Sequence, residues 1–203
     1  MNAREDMLGR VQAALAPLPE RAPLPDWDAH MAVARKLVEN RDPFDVFVER
    51  IKLVNGIAMT ETAQAAVFLK NGGWMRGYCD PALKAELAPQ FGGDFLFETE
   101  FDRTRVDDYA FGITRAAGGI AETGTIILND TLTSRRLGAL TPWVHIAVLR
   151  RASIHRTLLD AVQAFGDDRN IIWATGPSKT ADIEGILIEG VHGPGVQIAL
   201  VLP

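Results

Sequence analysis

The chain has 203 residues, enough for one domain that buries its own core without disulfide staples. It is 47% hydrophobic and 23% charged with a net charge of −5, which excludes a disordered chain and leaves no electrostatic footprint for nucleic acid or an anionic membrane. Its single cysteine, Cys79, cannot make an internal disulfide, a CxxC redox pair or an iron–sulfur ligand set, and a reducing cytosol suits such a chain best.

The N-terminal stretch MNAREDMLGR carries both signs of charge and lacks the apolar centre of a signal peptide. Met7, Leu8, Val11, Ala14 and Leu15 fall on one face of a helix. The next stretch, Ala16 to Asp28, holds four prolines, each removing a backbone donor and pushing its predecessor to extended conformations, so residues 1–28 read as a helix plus linker. Residues 29–203 form the remaining domain. Helical patterns resume over 29–40 and again over 43–55, where Phe44, Phe47, Val48, Ile51 and Val54 make a stripe.

From Gly56 onward, short apolar strand-like runs alternate with helical patterns. GIAMT reads as a strand and ETAQAAVFLK as a helix, then PALKAEL as a helix and DFLFETE as a strand. GIAETGTIILND is strand material, and PWVHIAVLR is apolar on both faces, as a buried strand is. SIHRTLLDAVQAF has helical spacing with Ser153 as the expected N-cap. NIIWATG is a further strand, and EGILIEGVHG with GVQIALVLP reads as a closing hairpin. The alternation predicts an α/β fold, a mainly parallel sheet flanked by helices with an antiparallel end and a helical N-terminal extension. No apolar run reaches the ~18 residues of a membrane span.

Three stretches carry the chemistry. TGPSKTADIEG, from Thr175 to Gly185, follows an apolar strand. It lacks the Gly-x-x-x-x-Gly-Lys frame of a phosphate loop, because Gly176 stands only three residues before Lys179. Gly176 as N-cap and Pro177 at the first helical position would instead open a helix, whose free N–H groups at Ser178, Lys179 and Thr180 attract an anion. Asp182 would lie in the first turn of that helix. A capped helix start with merely exposed side chains is the alternative. The second stretch is GGIAETGTI, in which Glu122 and Thr123 interrupt an apolar segment among glycines. Glu122 there is a candidate base, nucleophile or substrate anchor, or a solvent-facing residue of an edge strand. In the third, EGVHGPG, His192 sits at a turn and is either an acid–base group or structural. His30, His145, His155 and His192 have no metal-ligand spacing, so no metal site is expected, and His145 reads as a core histidine. Cys79 reads as a packing residue at a strand end, and the pairs Arg135–Arg136 and Arg150–Arg151 as solvated faces.

In this order, GIAETGTIIL followed some fifty residues later by TGPSKTADIEGILIEGVHGP resembles the lactate-utilisation branch of the LUD-domain family, specifically over Phe111 to Pro203 and loosely before. The resemblance implies a fold like the ribose-5-phosphate isomerase and CoA-transferase group. It implies a cytoplasmic role in carbon metabolism, oxidising L-lactate to pyruvate alongside partner proteins that hold the iron–sulfur clusters, with no cofactor in this chain. It transfers no established catalytic set. The expected site is therefore Glu122 and His192 as catalytic groups, with Thr123, Gly124, Ser178, Lys179, Thr180 and Asp182 binding a small anion between the two loops. AETG also resembles the Ser-Glu-Asn-Gly setting of CoA transferases, with Thr123 in place of asparagine, which puts covalent acyl transfer in doubt. Two other readings stay open: a noncatalytic assembly subunit that docks its N-terminal helix on an iron–sulfur partner, or a stand-alone enzyme acting on a phosphorylated or CoA-linked metabolite.

Overall fold

The computed structural model describes residues 2–17, 40–133, 135–165, 168, 170–181 and 186–203. The chain divides into two compact units, Met1–Val33 and Ala34–Pro203. In the first, α1 spans Ala3–Leu15, with the Asn2 side chain accepting the Arg4 N–H and Glu5 and Asp6 at the positive end of the helix dipole. No residue of α1 is buried, and Met7, Leu8, Val11 and Leu15 are exposed. The proline-rich linker beyond Pro17 and the helix expected over 29–40 lie outside the described residues, apart from Asn40.

The second unit is built on a six-stranded sheet of β1 (Ile57–Met59), β2 (Arg76–Cys79), β3 (Leu96–Glu98), β4 (Phe111–Arg115), β7 (Val144–Arg150) and β12 (Val196–Leu202). The strands lie in the order β1–β12–β7–β4–β2–β3, parallel throughout. The apolar run of β7 explains its central place. Val144, Ile146 and Val148 enter one hydrophobic cluster with α3 (Thr62–Asn71) and α4 (Pro81–Phe91). Ala147 and Leu149 point the other way, into a cluster with α2 (Pro43–Leu53). A period of two with both faces covered is the pattern of a buried parallel strand. Among the described residues no helix is long and apolar enough to cross a membrane.

A second, four-stranded sheet is mixed. In it β5 (Gly118–Ile120) pairs antiparallel with β6 (Thr125–Asn129) and parallel with β8 (Ile154–His155), and β6 pairs antiparallel with β9 (Ile171–Ala174). Ile126 and Leu128 of β6 pack into the α2 cluster, while Ile127 faces Ala161 and Phe165 of α6 (Leu158–Phe165). The GIAETGTIILND stretch is thus two strands and a turn.

Three expectations are corrected. Residues 154–155 are the strand β8 and not the first turn of a helix, because Gly119 and Ile120 offer them a paired edge; α6 begins only at Leu158. Ser153 does not cap it, and its hydroxyl donates to the Arg150 carbonyl at 2.7 Å. The closing hairpin also does not form. The strand β11 (Leu187–Glu189) pairs antiparallel with β10 (Lys179–Ala181), while β12 runs parallel between β1 and β7. The apolar residues of β12 alternate between the two core clusters and need cover on both faces, which a terminal hairpin cannot supply.

Cys79 ends β2 and is buried, with its Sγ 3.6 Å from the Asp80 carbonyl oxygen. Burial, with the Asp80 charge beside it, pushes its thiol up to about 12, so it is a packing residue and not a nucleophile. His145 is likewise a satisfied core residue, between Thr114 Oγ1 at 2.9 Å and the Gln197 amide.

Candidate functional site

The AETGT stretch is the turn of the β5–β6 hairpin, and its groups are used internally. The Glu122 carboxylate accepts the Leu158 N–H at 2.9 Å, so it caps the start of α6, and the Glu122 N–H donates to the Arg156 carbonyl at 3.1 Å. Glu122, a candidate base, nucleophile or substrate anchor in the sequence, thus has one carboxylate oxygen engaged at the α6 start. Gly124 has a φ of +67°, and a Cβ there would run into the backbone of Arg50 and Ile51. Its bareness serves close packing on α2 rather than approach to a ligand. Thr123, Thr125 and Thr175 form a hydroxyl chain, with Oγ1 separations of 2.6 and 2.7 Å, joining this turn to the end of β9.

The GPSKT stretch is also different from its expected form. No helix starts at Gly176; Lys179 and Thr180 belong to β10, opposite Glu189 and Ile188. The left-handed Gly176, φ +76°, fits against the Val54 carbonyl at the end of α2. Lys179 Nζ donates to that same carbonyl at 3.1 Å and lies 3.6 Å from the Glu189 carboxylate, which also accepts from the Asn55 amide at 2.8 Å. A lysine at a helix C-terminus satisfies an orphan carbonyl and the negative end of the dipole. The two motifs do converge, as their pairing in the sequence suggests, but on the last turns of α2. Asp182 lies outside the described residues.

Lys179→Ala is therefore expected to lower the unfolding free energy by ~1 kcal/mol. Glu189→Gln should give a smaller loss in the same urea titration. An unchanged midpoint for Lys179→Ala would return this lysine to a free cation.

The Ser178 backbone holds both ends of the loop that carries His192, donating to the Pro194 carbonyl and accepting from the Gly190 N–H, each at 2.9 Å. His192 is exposed and lines a cleft of about 480 Å³ with Asp107, Tyr109, Thr141 and Trp143. Burial raises the Tyr109 phenol above its usual range; the hydroxyl accepts from the Asp102 N–H at 3.0 Å and donates to Glu98 at 3.2 Å. Glu122 is thus engaged at the α6 start, and His192 lines a cleft with Tyr109 and Trp143.

Sequence reasoning missed the larger cleft. About 660 Å³ in volume, it is lined by Phe101, Arg103, Asp130, Thr133, Arg135, Arg136, Leu137 and Leu140. The pair read as a solvated face, Arg135–Arg136, opens onto it from the start of α5 (Arg136–Leu140). Arg136 pairs with Asp130 at 2.8 Å. No local spacing announces this site, because Arg103 is brought to it by the loop after β3. Among the described residues no group of three or more His, Cys, Asp or Glu side chains is placed to hold a metal ion.

An open parallel sheet with helices on both faces and a smaller mixed sheet against one of them makes this an α/β domain. Residues 44–202 match the LUD domain, and the chain belongs to that family. It is 41% identical over 87 residues to "Lactate utilization protein C" of Deinococcus radiodurans, an alignment covering 40% of this chain and 41% of that one. A similarly named Bacillus subtilis protein is 34% identical over 99 residues, covering 45% and 41%. This chain therefore spans less than half the length of these two relatives. An uncharacterized Neisseria meningitidis protein is 26% identical over 231 residues, covering 100% of this chain and 95% of that one. The crystal structure of a DUF162 family protein from Deinococcus radiodurans superimposes with a TM-score of 0.57 at 24% identity, covering 79% of this chain and 96% of the other, and establishes likeness of fold.

Proposed function

We propose that this protein is a cytoplasmic component of an L-lactate oxidation system producing pyruvate, acting with iron–sulfur partner proteins and binding a small anion. The observation that carries the reading is the name shared by its relatives, "Lactate utilization protein C". With Cys79 as its one cysteine, the chain has too few thiolates to ligate a cluster, so the clusters belong to the partners. Kinship of the fold with ribose-5-phosphate isomerases and CoA transferases, and a division of the chain near residue 28, form part of the same proposal.

Deleting the gene is expected to abolish growth on L-lactate and leave growth on pyruvate intact, with lactate growth restored by the full chain. Unimpaired growth of the deletion strain on L-lactate would overturn the reading. A second reading, the noncatalytic assembly subunit, is favoured by one observation: Ile186, Leu187, Ile188 and Val191, on and beside β11, are all exposed. An apolar strip of this kind marks an interaction surface. Lactate oxidation by the iron–sulfur partners purified without this chain separates the two, since an assembly subunit is not needed for turnover and a catalytic component is.

A further inference from the structure

We propose that the cleft lined by Arg103, Arg135 and Arg136 binds a small organic phosphate, a ligand carrying a phosphoryl dianion, and not a monocarboxylate such as lactate. Charge and position in the fold carry this independently of the lactate reading.

Among the described residues Asp130 is the single carboxylate lining the cleft, and it pairs with Arg136 at 2.8 Å. Arg103 and Arg135 have no ion pair or hydrogen bond among the described residues, unlike Arg41, Arg76, Arg105, Arg115, Arg150 and Arg151. The cleft therefore holds two uncompensated guanidinium groups. A monocarboxylate would balance one of them. A phosphomonoester dianion balances both, and its oxygens match the planar guanidinium fork bidentately.

Position points the same way. Open parallel sheets bind ligands beyond the carboxyl ends of their strands. Phe101 and Arg103 follow the carboxyl end of β3, and the Thr133 hydroxyl donates at 2.9 Å to the carbonyl of Arg115, the last residue of β4. The lining also has apolar side chains. Leu137 and Leu140 come from α5, and the Phe101 ring is fixed by stacking on Tyr109, with ring centres 4.8 Å apart. The lining thus combines cationic and apolar side chains, the usual composition of a small-molecule site of this volume.

Calorimetric titration of the full chain with glycerol 3-phosphate, inorganic phosphate and L-lactate at low salt tests the proposal. Glycerol 3-phosphate should bind at least tenfold more tightly than L-lactate. Its affinity should fall about tenfold in Arg103→Ala and in Arg135→Ala, the usual loss of a charge-assisted hydrogen bond. It should also weaken as sodium chloride is raised. The exposed Lys52→Ala should leave the affinity unchanged. Both arginines are exposed and support no other group, so their truncation should leave the melting temperature in place. Phenylglyoxal labelling of the unmutated protein gives a second readout, with glycerol 3-phosphate protecting Arg103 and Arg135 but not Arg10. Lactate binding as tight as glycerol 3-phosphate, affinity unaltered in both arginine variants, or labelling unaffected by the phosphate would each overturn the proposal.

Discussion

Asp80→Ala is expected to destabilise the protein by about 3 kcal/mol, the low end of the loss from breaking a buried ion pair. Asp80 is only 1% exposed and its two carboxylate oxygens do separate jobs. One accepts the Ala82 N–H at 2.9 Å and caps α4, and the other accepts from Arg115 Nε at 2.8 Å. The pair joins the ends of β2 and β4, neighbours in the sheet but far apart in sequence. The low end of the range applies because the Arg115 side chain is 34% exposed, so water recovers part of its hydration when the partner is lost. Asp80→Asn keeps the helix cap and should lose roughly two-thirds as much, the cap alone contributing ~1 kcal/mol. Urea unfolding of the three proteins at pH 7 measures this, and an Asp80→Ala midpoint equal to wild type would show that the pair contributes nothing.

Acidification should unfold the protein through His145. The imidazole is fully buried, and burial depresses its pKa to about 4 despite the opposing hydrogen bond from Gln197. In the unfolded chain the same group titrates near ~6.5. Between these values the unfolded state binds the proton and the folded state does not. Stability is then complete above the unfolded pKa and falls as the pH drops toward 4. The loss reaches about 3 kcal/mol, since each pH unit crossed between the two values removes roughly 1.36 kcal/mol. Nδ1 lies 2.9 Å from the Gln197 amide nitrogen and 3.2 Å from its amide oxygen, and Nε2 lies 2.9 Å from Thr114 Oγ1, so both ring nitrogens have a partner. His155 is also depressed, by burial against an opposing Asp160, so the pH profile of the wild type alone does not isolate one group. His145→Gln does. It should cost stability at pH 7, with the gap to wild type narrowing as the pH falls to 4. A gap that stays constant across this range would remove His145 as the acid-sensitive group.

Much of the architecture was legible in local pattern. Val144 to Leu149 are apolar apart from His145, and such a run has no stable place except between two covered faces. The stripe on α2 is a three-to-four residue pattern, and Phe47 and Ile51 are fully buried as it requires, with Val46 beside them. Strand partners were not legible, because pairing is chosen by distant segments. Ile186–Glu189 has the same apolar look whether it pairs with β12 or with β10, and only the capture of β12 between β1 and β7 decides the matter.

The site shows the same division more sharply. A glutamate among glycines looks like a reactive carboxylate, and a lysine behind Gly-Pro looks like an anion contact, since the chemistry of each side chain is all that sequence displays. By itself the sequence determined the α/β class, the single inert thiol, the buried His145 and the family. Tertiary structure alone decided that Glu122 spends its charge on the start of α6 and that Lys179 reaches a carbonyl 125 residues away. It also decided that Arg103 and Arg135, ordinary surface residues in the sequence, face one cleft with their charges unspent. The physical reason is that a charged group is free to act on a ligand only when no nearer partner has satisfied it, and the nearest partner is set by the fold.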